Sequence, residues 1–312
     1  MPISSVPNGV DITSTRERLA SSVGLLRQLE WRVKHAVENT LNGDYRSVFR
    51  GRGMEFDQVV KYEFGDDTRS IDWNVTARLG EPFRKKFIEE RELMILLVVE
   101  DSLSMQFGSG ERTKRDAMME LAGLLMLLAE MNKDRIGIIH ARPDGYSLLG
   151  PARGRIGILH AASKVIGHQP PALTDLQPVE IPWKFIAGAA TKRSLLVWLS
   201  DFPPRPAPDG WSMLMRRYQP VGIRIEDAWE RRMPDGAAMP VYDPASRRLV
   251  VLDPHSHAHR EGQAKWVAER EAAFTNLFPD RQNRLVVTPD DSMLQSLVRF
   301  FHSHMRRPMA RA

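Results

Sequence analysis

The chain contains no cysteine, which excludes a disulfide framework, a zinc–thiolate centre and a thiol nucleophile. This absence fits a reducing compartment. Long apolar runs are missing too. The richest window, residues 121–129, falls far short of the roughly 20 residues that a membrane-spanning helix needs. The first residues hold Pro2, Pro7 and Gly9 but no basic segment followed by an apolar core, so no signal peptide is read there. The expectation is a soluble, cytoplasmic protein. Three catalytic signatures are also lacking: the Gly-x-Ser-x-Gly elbow, the Gly-x4-Gly-Lys-Ser/Thr phosphate loop, and a Gly-x-Gly-x-x-Gly opening a helix. The run Gly51-Arg52-Gly53 precedes an expected strand, which is the wrong context for a dinucleotide.

What is present is an ordinary globular composition, 312 residues with a hydrophobic fraction of 42%. The formal net charge is +5 and the pI about 9.5. The basic residues gather in short clusters, Arg84-Lys85-Lys86, Arg216-Arg217, Arg231-Arg232 and Arg306-Arg307, with acidic groups between them. No long single-sign run marks a nucleic-acid arm. A solvated basic surface is the first reading, an acidic protein partner or anionic lipid surface the second, and nucleic acid is not expected.

Residues 93–105 organise the rest. They read Leu-Met-Ile-Leu-Leu-Val-Val-Glu-Asp-Ser-Leu-Ser-Met. The apolar run lacks alternation, as in a strand buried on both faces of a parallel sheet. A buried helix shows the same run, but Val98, Val99 and the abrupt polar stop favour a strand. Glu100, Asp101, Ser102 and Ser104 follow. Open α/β sheets bind ligands just beyond the carboxyl ends of their strands, so this cluster is a candidate site. Its oxygen ligands suit Mg²⁺, Ca²⁺ or Mn²⁺. The other reading is an acidic strand-to-helix loop whose serines cap the next helix.

Periodicity orders the remainder. A helix is expected over 13–40, then a charged, β-rich stretch in which 56–64 alternates and Gly65-Asp66-Asp67 makes a turn between strands. Arg50, Arg52, Arg69 and Arg78 stand there among Glu55, Asp57, Asp66, Asp67 and Asp72, and are expected to pair with them and brace the segment. Further helices are expected over 111–131, 155–166, 179–189, 211–218, 261–277 and 292–305. Strands are expected over 135–141, 146–149, 194–199, 221–225 and 285–288, and a hairpin over 239–253 with its turn at 243–246. Strands alternating with helices predict a parallel, doubly wound α/β sheet. His255, His257 and His259 are read as a solvated loop before a helix. The expected organisation is 1–44 as tail and helix, 45–92 as β-rich extension, and 93–306 as the main domain.

The segments 51–56 (Gly-Arg-Gly-Met-Glu-Phe) and 62–74 (Tyr-Glu-Phe-Gly-Asp-Asp-Thr-Arg-Ser-Ile-Asp-Trp-Asn), followed by Ala77-Arg78, Phe87 and Glu89-Glu90, carry a resemblance. They look like the signature of the bacterial domain-of-unknown-function family 58, whose members resemble von Willebrand factor type A domains. Type A domains hold a divalent ion at a metal-ion-dependent adhesion site written Asp-x-Ser-x-Ser, completed by a distant Thr and Asp. The resemblance implies Glu100, Ser102 and Ser104 in the first three places, Thr174 as the loop Thr and Asp201 as the final Asp. Glu100 departs from the pattern by one methylene. The implied ion is Mg²⁺, with Mn²⁺ or Ca²⁺ as alternatives. Family members are commonly associated with MoxR-type AAA+ ATPases in chaperone-like maturation. The expectation is therefore a non-enzymatic interaction module with an ATPase partner and a client protein. The alternative is a metal-dependent hydrolase using Glu100, Asp101 and Asp201.

Overall fold

Continuous apolar runs form the buried inner strands of the central sheet in this chain. The computed structural model describes residues 24, 55–63, 65–88, 94–189, 194–243 and 248–305. Ten strands are described: β1 (Glu55–Lys61), β2 (Phe83–Ile88), β3 (Met94–Glu100), β4 (Arg135–Arg142), β5 (Gly145–Ala152), β6 (Ser194–Ser200), β7 (Tyr218–Ile225), β8 (Met239–Asp243), β9 (Arg248–Leu252) and β10 (Arg284–Val287). The helices are α1 (Trp73–Leu79), α2 (Lys114–Met131), α3 (Gly154–Ile166), α4 (Trp183–Ala189), α5 (Trp211–Arg217), α6 (Ala228–Arg231), α7 (His257–Leu277) and α8 (Met293–Met305). The protein is mixed α/β.

Its central sheet has six strands in the order β10-β7-β6-β3-β4-β5. Every pairing is parallel except that of β4 with the edge strand β5. Counted along the chain, this is the doubly wound order 3-2-1-4-5-6, and the order reverses between β3 and β6. Both strands are buried on both faces, which explains their unbroken apolar runs. One face packs Ile95, Leu97 and Val99 against α2, α3 and α8 in a core of mostly aliphatic and Met side chains, with Phe300 and Phe301 of α8. The other packs Leu96 and Val98 with Trp198, Phe202, Trp211, Phe274 and Phe278. Gly222 on β7 has a steric reason: a Cβ there would run into the Phe278 ring.

The charged stretch before β3 departs from expectation. Residues 65–67 do not turn the chain into a second strand. They lead into a 3₁₀ turn and then α1, and β1 pairs antiparallel with β2 instead. The reason is capping. Asp67 accepts from Arg69 N, Asp72 accepts from Asn74 N and Val75 N, and Gly80 (φ 76) ends the helix. Asp67 and Asp72 thus serve as helix caps, and Asp66 pairs with Arg84. Arg50, Arg52 and the side chains of Glu55 and Asp57 lie outside the described residues, as does the expected helix over 13–40 except for the helical Gly24.

Boundaries differ elsewhere too. The helix expected over 179–189 begins at Trp183, because Pro182 restricts the residue before it to extended backbone. Helix α7 begins at His257, capped by Ser256, so His257 and His259 are helical rather than in a loop. Strand β5 runs to Ala152 as an antiparallel edge. The outer two-stranded sheet of β8 and β9 matches the expected hairpin.

Candidate functional site

Strands β3 and β6 are parallel neighbours with Val99 opposite Leu199, so both deliver their polar ends to one edge. Alternation then separates adjacent side chains. Glu100 turns to the aromatic face, where Arg205 donates to it through Nη1 and Nη2 at 2.7 and 2.6 Å and Trp198 Nε1 donates at 3.0 Å. Asp101 turns the other way and is gripped by Arg115 Nε and Nη2, both at 2.9 Å, with His140 Nε2 at 3.1 Å. Asp201, just past β6, accepts from Ser104 Oγ at 2.5 Å and Lys114 Nζ at 3.0 Å, both on Oδ2. Its Oδ1 is buried without a bonding partner. Three carboxylates thus stand at the reversal point, each with its own cation.

Local structure places these groups. After β3 a 3₁₀ turn (Leu103–Gln106) lifts Ser104 to the surface. Ser102 Oγ and Ser104 Oγ are 2.8 Å apart. Ser104 has one hydroxyl proton and gives it to Asp201, so Ser102 is the donor between them. Both hydroxyls spend their protons inward and leave lone pairs outward. Gly108 allows the chain to double back, since a Cβ there would collide with the carbonyl oxygen of Arg112. Thr113 then caps α2 in a reciprocal capping box with Asp116. On the other strand, Phe202 adopts φ 48, uncommon for a bulky residue, while its ring is held among Trp198, Phe274 and Phe278. Its N–H donates to Ser200 Oγ at 3.0 Å, which fixes the bend carrying Asp201.

The first residue of α2 is Lys114, and its side chain is wholly buried. Besides Asp201, its ammonium donates to Glu230 Oε1. Glu230 completes the capping box of α6 and accepts from Arg270 Nη1 at 3.0 Å. Arg270 also donates to Glu226 at 2.8 Å, and Glu226 meets Arg224 at 3.2 Å. The result is a buried row of alternating charges beneath the carboxyl edge of β6 and β7.

Burial alone would raise the Asp101 and Asp201 carboxyls, but their partners reverse this. His140 and Arg115 hold Asp101 below the usual value, and the charge of Lys114 with the bond from Ser104 does the same for Asp201. Burial alone would lower Lys114, yet Asp201 and Glu230 keep it raised. His140 is pushed below its usual value by burial, with Asp101 pulling the other way.

Of the five residues the resemblance implies, Ser102, Ser104 and Asp201 form one hydrogen-bonded chain. Glu100 reaches the same edge, but its bonds go to Arg205 and Trp198. Thr174 lies on an exposed turn and makes no side-chain bond among the described residues. Its loop touches the site through Gln106 Nε2, which donates to Pro171 O at 2.6 Å. As they stand, these residues do not fit a divalent ion. Both charged members are already neutralised, and Lys114 occupies Asp201. Two cations on one carboxylate stand about 4 Å apart, where each unit of like charge costs about 4 kcal/mol at an effective dielectric near 20. Sequence reasoning missed Lys114, Arg115, Arg205 and Glu230. Only Lys114 carried a local signal, being a cation at the start of a helix, where the macrodipole favours anions.

Fold and site together define a doubly wound α/β protein with a charge-compensated polar site at the reversal point of its sheet. The sequence pattern of the family described as "Protein of unknown function DUF58" matches residues 58–273, and the chain belongs to that family. It is 28% identical over 300 residues to "Uncharacterized protein Rv1480" of Mycobacterium tuberculosis and to "Uncharacterized protein Mb1516" of Mycobacterium bovis, covering 91% of this chain and 90% of each relative. Among solved structures, the conserved hypothetical protein BatB from Bacteroides thetaiotaomicron aligns with a TM-score of 0.40 and 14% identity, over 69% of this chain and 100% of that one. An aerotolerance-related membrane protein from Bacteroides fragilis aligns with a TM-score of 0.38 and 12% identity, over 68% of this chain and 98% of that one. Among the described residues, no helix is long and apolar enough to cross a membrane.

Proposed function

We propose that this chain is a protein-interaction module without catalytic activity of its own, built on a von Willebrand factor A-like domain. In this reading it works in the cytoplasm with a MoxR-type AAA+ ATPase in the chaperone-like maturation of a client protein. One observation carries the reading. Each carboxylate at the reversal point is closed by a cation of the chain, while the Ser102 and Ser104 hydroxyls remain at the rim. A hydrolase built on Glu100, Asp101 and Asp201 needs one carboxylate free to take a proton from water. Each of the three is instead held in an ion pair, with Arg205, Arg115 or Lys114. The strand order of the central sheet, with its antiparallel edge strand, supports the type A-like assignment, and the resemblance in 51–90 supports the ATPase partnership.

The rim also suggests what the partner presents. With both hydroxyl protons directed inward, Ser102 and Ser104 offer acceptors. A partner N–H, ammonium or guanidinium fits them, whereas a partner carboxylate would find no electrophile. This differs from the acidic protein partner expected from the basic surface. The test is capture of the tagged chain from its native lysate with mass spectrometry of what co-purifies. An AAA+ ATPase should be recovered with the wild type and depleted with Thr174→Arg, a substitution on the exposed loop that Gln106 ties to the site, which leaves the ion pairs intact. Recovery of no such ATPase overturns the partnership, and equal recovery with both chains moves the docking face elsewhere.

A further inference from the structure

We infer that the Lys114 ammonium is the resident cation of this site, standing where a divalent ion would be held and making the site independent of metal. Three observations converge on it. First, Lys114 opens α2, and a cation at a helix N-terminus opposes the macrodipole. Second, its side chain is wholly buried, an environment in which a lysine keeps its charge only when carboxylates meet it. Third, the two carboxylates that meet it come from separate elements, Asp201 after β6 and Glu230 in α6 after β7. Nothing in the hydrophobic packing of α2 calls for an ammonium at this place.

Charge accounting gives the same answer. Asp201 and Glu230 carry two negative charges, and Lys114 with Arg270 supplies two positive ones. An added divalent ion would leave the cluster strongly positive in a buried setting. Removing the Lys114 side chain would leave one uncompensated negative charge together with both Asp201 oxygens, Glu230 Oε1 and the Ser104 hydroxyl. That is an all-oxygen donor set of the kind hard divalent ions take. The lysine therefore replaces an ion and excludes it. The inference stands on these contacts alone and does not depend on which partner docks at the rim.

The experiment compares full-length wild type, Lys114→Ala and Lys114→Gln by thermal unfolding and calorimetry, each with EDTA and with millimolar Mn²⁺. Wild type should show no heat of Mn²⁺ binding and no movement of Tm. Lys114→Ala in EDTA should melt about 10 °C lower, since a buried pair has lost one partner in a chain of this size. Mn²⁺ should then raise its Tm and bind it with saturation, and adding Asp201→Asn should abolish both effects. If Lys114→Ala does not fold in EDTA, recovery on refolding with Mn²⁺ supports the inference, and failure in both conditions overturns it. The inference is also overturned if wild type binds Mn²⁺ in a way that Asp201→Asn removes. It falls as well if folded Lys114→Ala and Lys114→Gln both ignore the ion.

Discussion

The carboxyl edge of the central sheet and the β1–α1–β2 segment are both dense in opposite charges, yet they use them differently. At the sheet edge the pairs are buried: Lys114 with Asp201, Arg270 with Glu226, Arg115 with Asp101. In the segment, Lys61 and Glu81 are 63% and 56% exposed, and Asp67 and Asp72 cap helices. An exposed pair contributes about 0–1 kcal/mol, because water screens it and ordering two long side chains costs entropy. Losing one partner of a buried pair costs about 3–5 kcal/mol, because the other charge is left in a poor solvent. Charge density read along the chain does not distinguish the two. Among the described pairs, those of the sheet edge carry the larger electrostatic stake.

The sharpest test of this contrast is Asp201→Ala. It removes one of the two carboxylates that meet the buried Lys114 ammonium and should lower stability by about 3–5 kcal/mol in denaturant unfolding. A cost below about 1 kcal/mol would mean that the sheet edge behaves like the surface. The same substitution is a poor probe of docking, since its effect on fold would masquerade as lost binding.

The pH dependence is the next test. His140 is held below its usual 6.5 by burial, so over that interval the unfolded chain binds a proton that the folded chain does not. Stability should therefore fall as pH drops from 6.5 through the lowered folded value. Asp101 is held below 3.8, so it adds a second loss at more acid pH, as its carboxylate is protonated. His140→Gln should remove the first loss and also shrink the second, since His140 helps to hold Asp101 down. Unfolding midpoints measured across both intervals decide it, and an unchanged first loss would remove His140 from the account.

Smaller effects belong to the segment. Asp72→Ala removes the cap of α1 and should cost about 1 kcal/mol, visible as a modest fall in melting temperature. Lys61→Ala should change stability by about 0.5 kcal/mol or less. If Lys61→Ala proves as costly as Asp201→Ala, burial is not what separates the regions.

Much of the fold is legible in the residues themselves. The apolar runs around Leu97 and Val197 mark buried parallel strands, and the polar residues after Val99 and Leu199 fall at one sheet edge because parallel neighbours share their direction. These are local signals, set by side-chain periodicity over fewer than ten residues. The turn chemistry of 65–80 is also local, but expecting ion pairs from Asp67 and Asp72 overlooks the backbone N–H donors two and three residues on.

The composition of the site is decided elsewhere. Glu100 meets Arg205 across 105 positions, Lys114 meets Asp201 across 87 and Glu230 across 116. No periodicity reports a contact at such separations, and the sequence alone leaves Glu100 and Asp201 free to share an ion. The pleat of β3 sends Glu100 and Asp101 to opposite faces, and the packing of α2 against the sheet brings a lysine to Asp201. Sequence determined which oxygens reach the edge, because that follows from strand direction and alternation. Tertiary structure decided which cation meets each of them, because burial makes every charge find the partner that folding places beside it.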